Sequence, residues 1–127
     1  MRATGPEPDV RAIVEQRAGG YCERCGLPLR SGAHIHHRRP RGMGGSSSVD
    51  TNRASNLLWL HPSCHAKVES ERGKALSSGF LVRQGEEPGD VPLFRWGWWV
   101  RLGDDGTVTP LNSPDDWLRQ GDEPATA

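Results

Sequence analysis

Lysine, cysteine and long apolar segments are scarce in this chain of 127 residues, of which only 34% are hydrophobic. No apolar run approaches the roughly 20 residues that a membrane-spanning helix requires. The three cysteines cannot all pair with one another, and the N-terminus lacks a basic start followed by an apolar stretch. We therefore expect a small, reduced, cytoplasmic protein whose modest core is stabilised by a bound metal ion.

All eight cysteine and histidine side chains lie within a window of 44 residues that runs from Cys22 to His65. Cys22 and Cys25 form one two-ligand knuckle, and His61 and Cys64 form a second with the same spacing. Two such knuckles are typical of a single structural Zn2+ with tetrahedral coordination. The surplus histidines need another explanation, and they are His34, His36, His37 and His65.

A formal net charge of zero conceals an uneven distribution along the chain. Residues 22–75 hold nine basic and four acidic groups, whereas residues 76–127 hold four basic and nine acidic groups. A basic central window favours a polyanionic partner such as DNA, although an arginine-rich solvated loop has the same composition. The candidate phosphate contacts are Arg38, Arg39, Arg41 and Arg53.

Turn signals and hydrophobic period predict an α+β protein with short elements. A helix over 9–18 should end at Gly19, a strand is expected around 33–38, and the loop over 40–56 is too rich in glycine and serine to be regular. Residues 57–60 predict an apolar strand, and a helix over 63–72 should start after Pro62 and end at Gly73.

The sequence beyond Gly73 predicts a β-rich extension. Alternation over 94–102 indicates one half-buried strand with Phe94, Trp96 and Trp98 on the same face, more in keeping with a core than with a base-stacking surface. A turn over 103–106 should return the chain as an antiparallel hairpin, and residues 80–82 are a candidate third strand. We expect four segments: an N-terminal arm and helix (1–19), a metal-binding core (20–73), a hairpin extension (74–112) and an acidic flexible tail (113–127).

The central window resembles the HNH endonucleases, and more narrowly the small stand-alone HNH proteins of actinobacteria and their phages. The resemblance covers about residues 20–73 and depends on the spacing of three motifs. These are Cys22-x-x-Cys25, the run that begins His36-His37-Arg38-Arg39-Pro40, and the segment from Asn56 to Leu60 followed by His61-x-x-Cys64-His65.

The resemblance implies a ββα-metal site that hydrolyses DNA phosphodiester bonds with a catalytic Mg2+, Mn2+ or similar ion. His36 and His65 occupy the positions of the ligands of that ion, His37 that of the general base, and Asn56 that of the asparagine that orients the base. Adjacent strand residues point to opposite faces, so separate roles for His36 and His37 also suit a strand. The family's asparagine also holds the ribbon. Asn52 is a rival for this position, but it can be a simple turn residue, and the place of Asn56 immediately before the apolar strand favours Asn56.

The resemblance further implies little intrinsic sequence specificity and a phage or host protein partner, such as a DNA-packaging enzyme. Glu69 lies one helical turn after His65 and is either a third ligand or, as we expect, exposed. We interpret His34 as exposed or in contact with nucleic acid. Two alternatives remain: a catalytically silent zinc module that binds nucleic acid or protein, and a structural component of a phage assembly.

Overall fold

The computed structural model describes residues 6–30, 32–40 and 51–111, and it combines short helices with antiparallel strands as the α+β prediction expects. No helix in these ranges is long and apolar enough to cross a membrane. In chain order the elements are α1 (Pro8–Ala18), β1 (His34–His37), β2 (Leu57–Leu60), α2 (Pro62–Ser70), α3 (Arg72–Ser78), β3 (Leu93–Arg95), β4 (Trp98–Leu102) and β5 (Val108–Pro110), with single 3-10 turns at Ala54–Asn56 and Pro88–Asp90.

Helix α1 follows the sequence signals at both ends. Proline occupies its first turn, where no backbone donor is needed, and Gly19 ends it in the left-handed conformation with its N–H bonded to the Glu15 carbonyl. The helix buries Val14 against Ala54 of the 3-10 turn and Leu57 of β2. The N-terminal helix is thereby packed on the strand pair described next.

Strands β1 and β2 form an antiparallel pair in which His34 lies opposite Leu60 and His37 lies opposite Leu57. Three of the four β2 side chains are fully buried, which fixes the register of the pair. Helix α2 begins directly after β2, because Pro62 occupies its first position and His61 precedes it. The predicted order of strand, strand and helix is confirmed, and it places the start of α2 beside β1. Residues 41–50 of the predicted loop lie outside the described residues.

The predicted end of α2 at Gly73 is wrong. Helix α2 ends at Ser70, the chain bends at Glu71, and Gly73 lies inside the following helix α3. Gly79 ends α3 with φ 85°, and a Cβ atom there would lie 2.0 Å from the Pro92 carbonyl oxygen. Only glycine permits both this backbone conformation and this close approach.

The predicted single strand over 94–102 is also wrong, because it is a hairpin of β3 and β4. Trp96 and Gly97 connect these strands, and both have positive φ, as a twist-matched two-residue turn requires. The turn breaks the expected alternation, so Trp99 is buried whereas Trp98 is 66% exposed. The predicted β4–β5 hairpin is confirmed, but residues 80–82 are buried without joining either described sheet.

The carboxylate of Glu23 joins separate parts of the fold. It is fully buried inside the first knuckle, and it accepts hydrogen bonds from Arg17 of α1 at 2.7 and 2.9 Å and from Arg95 of β3 at 2.9 Å. It also accepts a hydrogen bond from the backbone N–H of Trp59 at 3.0 Å. A buried carboxylate between two guanidinium groups is stabilised because every charged partner is hydrogen-bonded.

We predict that Glu23→Ala lowers the free energy of unfolding by about 3–5 kcal/mol, because it leaves two buried cations without their anion. Urea denaturation measures this loss. Glu15→Ala is the matched control, since Glu15 forms a solvent-exposed ion pair with Arg11. That control should cost less than about 0.5 kcal/mol. Equal losses in the two variants would contradict the role given to Glu23.

Candidate metal centres

Four side chains from two distant segments converge at the predicted zinc site. One ligand atom from each of Cys22, Cys25, His61 and Cys64 lies within 4.8 Å of the others. His61 donates its Nε2–H to the Pro28 carbonyl at 3.0 Å, which leaves the Nδ1 lone pair directed at Cys25 Sγ, 3.3 Å away. This arrangement fixes the ring of a metal-binding histidine by hydrogen-bonding its outer nitrogen. The set can hold one Zn2+.

The two buried thiols of this set differ in acidity. Burial raises the pKa of Cys22, but backbone N–H groups of Cys25, His61 and Arg24 outweigh burial and lower it to about 7. Burial raises the pKa of Cys64 to about 11, and the neighbouring Cys22 contributes in the same direction. Cys64 therefore loses its proton near pH 7 only if a cation compensates the new charge. Bound zinc has this effect, because it deprotonates a coordinating thiol.

A second cluster contains His36, His65 and Glu69, with one ligand atom of each within 4.8 Å of the others. His36 is 1% exposed and donates its Nε2–H to the Phe80 carbonyl at 2.6 Å. Its buried Nδ1 has no hydrogen-bond partner among the residues that the structure describes. Burial lowers the pKa of His36 to about 4, so the ring is neutral near pH 7 and Nδ1 presents a lone pair.

The unpaired Nδ1 of His36 faces a carboxylate oxygen. Glu69 lies one helical turn after His65 on α2. Its Oε2 atom is 3.7 Å from His36 Nδ1 and 3.8 Å from His65 Nε2. The other carboxylate oxygen, Oε1, accepts a hydrogen bond from Arg72 at 3.2 Å. A neutral histidine is no ion-pair partner for this carboxylate, so lone pairs converge around a position that suits a cation. Glu69 is 47% exposed by side chain, yet it belongs to the cluster.

His34 contacts the opposite nitrogen of His65. The two Nδ1 atoms are 3.1 Å apart, and one of them must therefore carry the proton that the other accepts. His34 and His36 both lie against the His65 ring because they share one face of β1. The sequence interpretation of His34 as exposed holds, but it omitted this contact.

His37 points away from that cluster and contacts an asparagine. Its Nε2–H donates to Asn52 Oδ1 at 2.8 Å. Asn56, which the resemblance assigned to orienting the base, instead accepts from the Arg39 backbone N–H at 2.7 Å and donates to the carbonyls of Arg39 and Thr51. Asn56 thus fastens the two ends of the loop, and Asn52 holds the ring.

Residues 22–71 match the family model of HNH endonuclease. This segment, called the HNH domain below, is similar to that family over 50 of the 127 residues. No curated protein and no solved structure gives a significant match to the chain. The match begins at the first zinc knuckle and ends just after α2, so it contains both ligand clusters.

The arginines predicted to contact DNA are largely engaged within the protein. The prediction is wrong for Arg38, which is fully buried and donates to the carbonyls of Gly79, Ser55, Pro88 and Val91 at 2.8–3.0 Å. Arg53 forms ion pairs with Glu87 and Asp104. Arg39 donates to the Glu86 carbonyl at the surface. Arg41 and the predicted tail lie outside the described residues.

The contacts of three side chains around the two clusters did not follow from the sequence. The sequence favoured a turn role for Asn52 over its rival role beside Asn56, an exposed or nucleic-acid-binding role for His34, and exposure for Glu69, which is exposed. Each of the three nevertheless contacts a predicted site histidine. The spacing of four between His65 and Glu69 was a usable signal, because residues one turn apart share a helix face. No local pattern pairs Asn52 with His37.

We predict that the purified protein retains about one zinc ion per chain through dialysis, because both knuckles are fixed by the fold. Elemental analysis measures the content. Removal of zinc should unfold the HNH domain, since it would leave buried cysteines from segments 22–25 and 61–64 without the ion that joins them. A folded, cooperatively melting preparation that contains no zinc would contradict this assignment.

Proposed function

We propose that this protein is a metal-dependent endonuclease that hydrolyses DNA phosphodiester bonds. The observation that carries the proposal is the buried, unpaired Nδ1 of His36, which faces Glu69 Oε2 beside His65 Nε2. Three converging ligand atoms outside the zinc set fit a second divalent cation, whereas a silent zinc module has no use for them.

The proposed catalytic ion would be held by His36, His65 and Glu69. When bound, a divalent cation such as Mg2+ or Mn2+ supplies stabilisation of the negative charge that develops on the phosphate and the departing oxygen. Three protein ligands leave coordination positions open for substrate and water. Glu69 is proposed here as the third ligand, which is the less favoured of the two roles that the sequence left open, and its side chain is 47% exposed.

His37 is proposed as the general base. Because its Nε2–H donates to Asn52, the neutral ring carries its lone pair on Nδ1. That nitrogen can take a proton from water as the water oxygen forms a bond to phosphorus and the bond to the 3′ oxygen breaks. Asn52 orients the ring directly, and Asn56 supports the same loop through its backbone contacts.

We predict that His37→Ala lowers the rate of supercoiled plasmid nicking by about two to four orders of magnitude, the usual contribution of a positioned general base. Zinc content and melting temperature should remain those of the wild type, because His37 lies outside the zinc set. Full activity in this variant would refute the base assignment. Nicking by the wild type without added divalent metal would point to a contaminating nuclease.

The ligand variants should behave differently from His37→Ala. His65→Ala and Glu69→Gln should bind the catalytic ion more weakly, so raised Mg2+ or Mn2+ should partly restore plasmid nicking. No metal concentration should restore His37→Ala, because its defect is the missing proton acceptor. A wild type that binds DNA, holds zinc and never nicks in any metal would favour the silent zinc module instead.

His34 is proposed as the residue that positions His65. If His65 offers Nε2 to the catalytic ion, its Nδ1 must carry the proton and donate it to His34 Nδ1, 3.1 Å away. We predict that His34→Ala weakens Mn2+ binding by about 10- to 100-fold, the usual effect of removing such a partner. Isothermal titration measures the affinity.

His34→Asn is the matched control, because its Oδ1 can accept the same hydrogen bond and should restore the affinity. Imidazole nitrogen NMR of the metal-free catalytic site gives a second readout. It should show His65 protonated on Nδ1 in the wild type and a changed tautomer in His34→Ala. A wild-type His65 protonated on Nε2 would contradict the arrangement. A role beside a DNA-packaging enzyme or another phage partner stays a prediction from the resemblance.

A further inference from the structure

A cleft of about 630 Å³ lies between the first zinc knuckle, helices α2 and α3, and the turn between β3 and β4. It is formed by parts of the chain that are far apart in sequence, and two of its walls carry charged side chains. The third wall is aromatic. The lining residues that matter below are Arg24 of the knuckle, Lys67 of α2, Glu71 between the helices, Lys74 of α3, and Phe94 and Trp96 of the hairpin.

The cleft has an excess of positive charge. Its three cations face one carboxylate, and Lys67 and Lys74 are the only two lysines of the chain. Both lysines are exposed, and neither takes part in an ion pair found among residues 6–30, 32–40 and 51–111. Arg24 is held at the site by a contact of 3.6 Å from Nη1 to Cys64 Sγ.

The cations of the cleft differ from the arginines that the sequence suggested as phosphate contacts, because those arginines are largely engaged with protein groups. Arg38 is enclosed by carbonyl oxygens, and Arg53 is paired with two carboxylates. Charged groups already engaged with protein partners contribute little to binding of a polyanion, since their partners would have to be displaced. Exposed arginines such as Arg83 also lie outside the cleft, but the cleft gathers three cations of the described residues at one concave surface.

The helix that lines the cleft also belongs to the candidate catalytic site. Helix α2 carries His65 and Glu69 in one cluster and Lys67 in the cleft wall. Phe80 also links the cleft and the ligand cluster, because it lines the cleft and its carbonyl accepts a hydrogen bond from His36 Nε2. Lys67 lies two positions from both His65 and Glu69, so the cleft and the ligand cluster occupy different faces of one helix.

We propose that this cleft binds the phosphate backbone of the DNA substrate at a distance from the scissile bond. The proposal rests on the proposed function and locates the contact that holds the substrate. Ammonium groups contact phosphates without reading base sequence, which suits an enzyme that acts with little sequence preference. The aromatic wall offers apolar contact for sugars or for an unpaired base.

The experiment measures binding of a fluorescent DNA duplex by anisotropy across a range of salt concentrations, with no divalent metal added. The double variant Lys67→Ala/Lys74→Ala should bind more weakly, and its slope of log affinity against log salt should be shallower by about 2, since each phosphate contact contributes about 0.9. Glu71→Gln should change affinity in the opposite direction, because it removes the carboxylate of the cleft.

Arg30→Ala/Arg83→Ala is the matched control, because it removes the same charge from exposed positions that lie outside the cleft and take part in no ion pair found among the described residues. This control should keep the wild-type salt slope. Equal slopes in the lysine variant and the wild type would overturn the proposal, and so would an equal change in the control, which would show an effect of net charge alone. Thermal melting verifies that each variant is folded.

The same variants separate this proposal from the nuclease proposal. If the lysine variant has the shallower salt slope while the wild type never nicks plasmid, the cleft binds DNA and the nuclease assignment fails. If the wild type nicks plasmid and the lysine variant binds and nicks equally well, the nuclease assignment holds and the cleft proposal fails. If the lysine variant bound DNA as well as the wild type but bound an acidic protein partner more weakly, the cleft proposal would likewise be overturned.

Discussion

The carboxylate of Glu23 holds three parts of the chain against one another from inside the first zinc knuckle. Its partners lie on α1, β2 and β3. Among the described residues, neither of the two buried guanidinium groups forms an ion pair with another carboxylate. Arg95 in turn stacks over the Trp96 ring, 3.7 Å from its centroid, and Trp96 donates its indole N–H to the Cys22 carbonyl. The knuckle is thus fixed on several sides before zinc is considered. The HNH domain consequently depends on segments that lie outside its sequence boundaries.

A common rule governs the histidines of both ligand clusters. In His61 and His36 the Nε2–H donates to a backbone carbonyl, and in His65 the Nδ1 atom meets His34. In each ring the other nitrogen faces the remaining members of its cluster. Hydrogen bonds made by the outer nitrogens therefore set the directions of the inner lone pairs. Such fixed directions lower the reorganisation that binding of an ion requires, because the rings do not have to be turned or to exchange tautomers first.

The sequence was most informative where the signal is local. Cysteine and histidine spacing, Pro62 and the apolar run of β2 act over a few residues, so the knuckles, the order of elements and the start of α2 followed from them. The misassigned elements depended on distant contacts. Gly73 carries the local signal of a helix end, yet it lies inside α3. The residue that ends α3 is Gly79, where the distant Pro92 approaches the backbone too closely for a Cβ atom. The Arg95 partner of Glu23 is 72 positions away, and no periodic pattern announces such a pair. Trp96 hid a turn because an aromatic residue with positive φ is rare.

The fate of the arginines shows why charge in a sequence overstates charge at a surface. The central window carries an excess of five positive charges, but Arg38 is wholly internal, where burial lowers its pKa and four carbonyls replace water as acceptors. A guanidinium group suits this role because its planar donors can satisfy several carbonyls at once. A lysine has three donors on a flexible stem and suits exposed contact with anions better. The division seen here follows that chemistry, with arginines such as Arg17, Arg38 and Arg95 joining elements inside the fold and both lysines at the surface. Residue type and burial together, rather than the count of charges, indicate where a polyanion can bind.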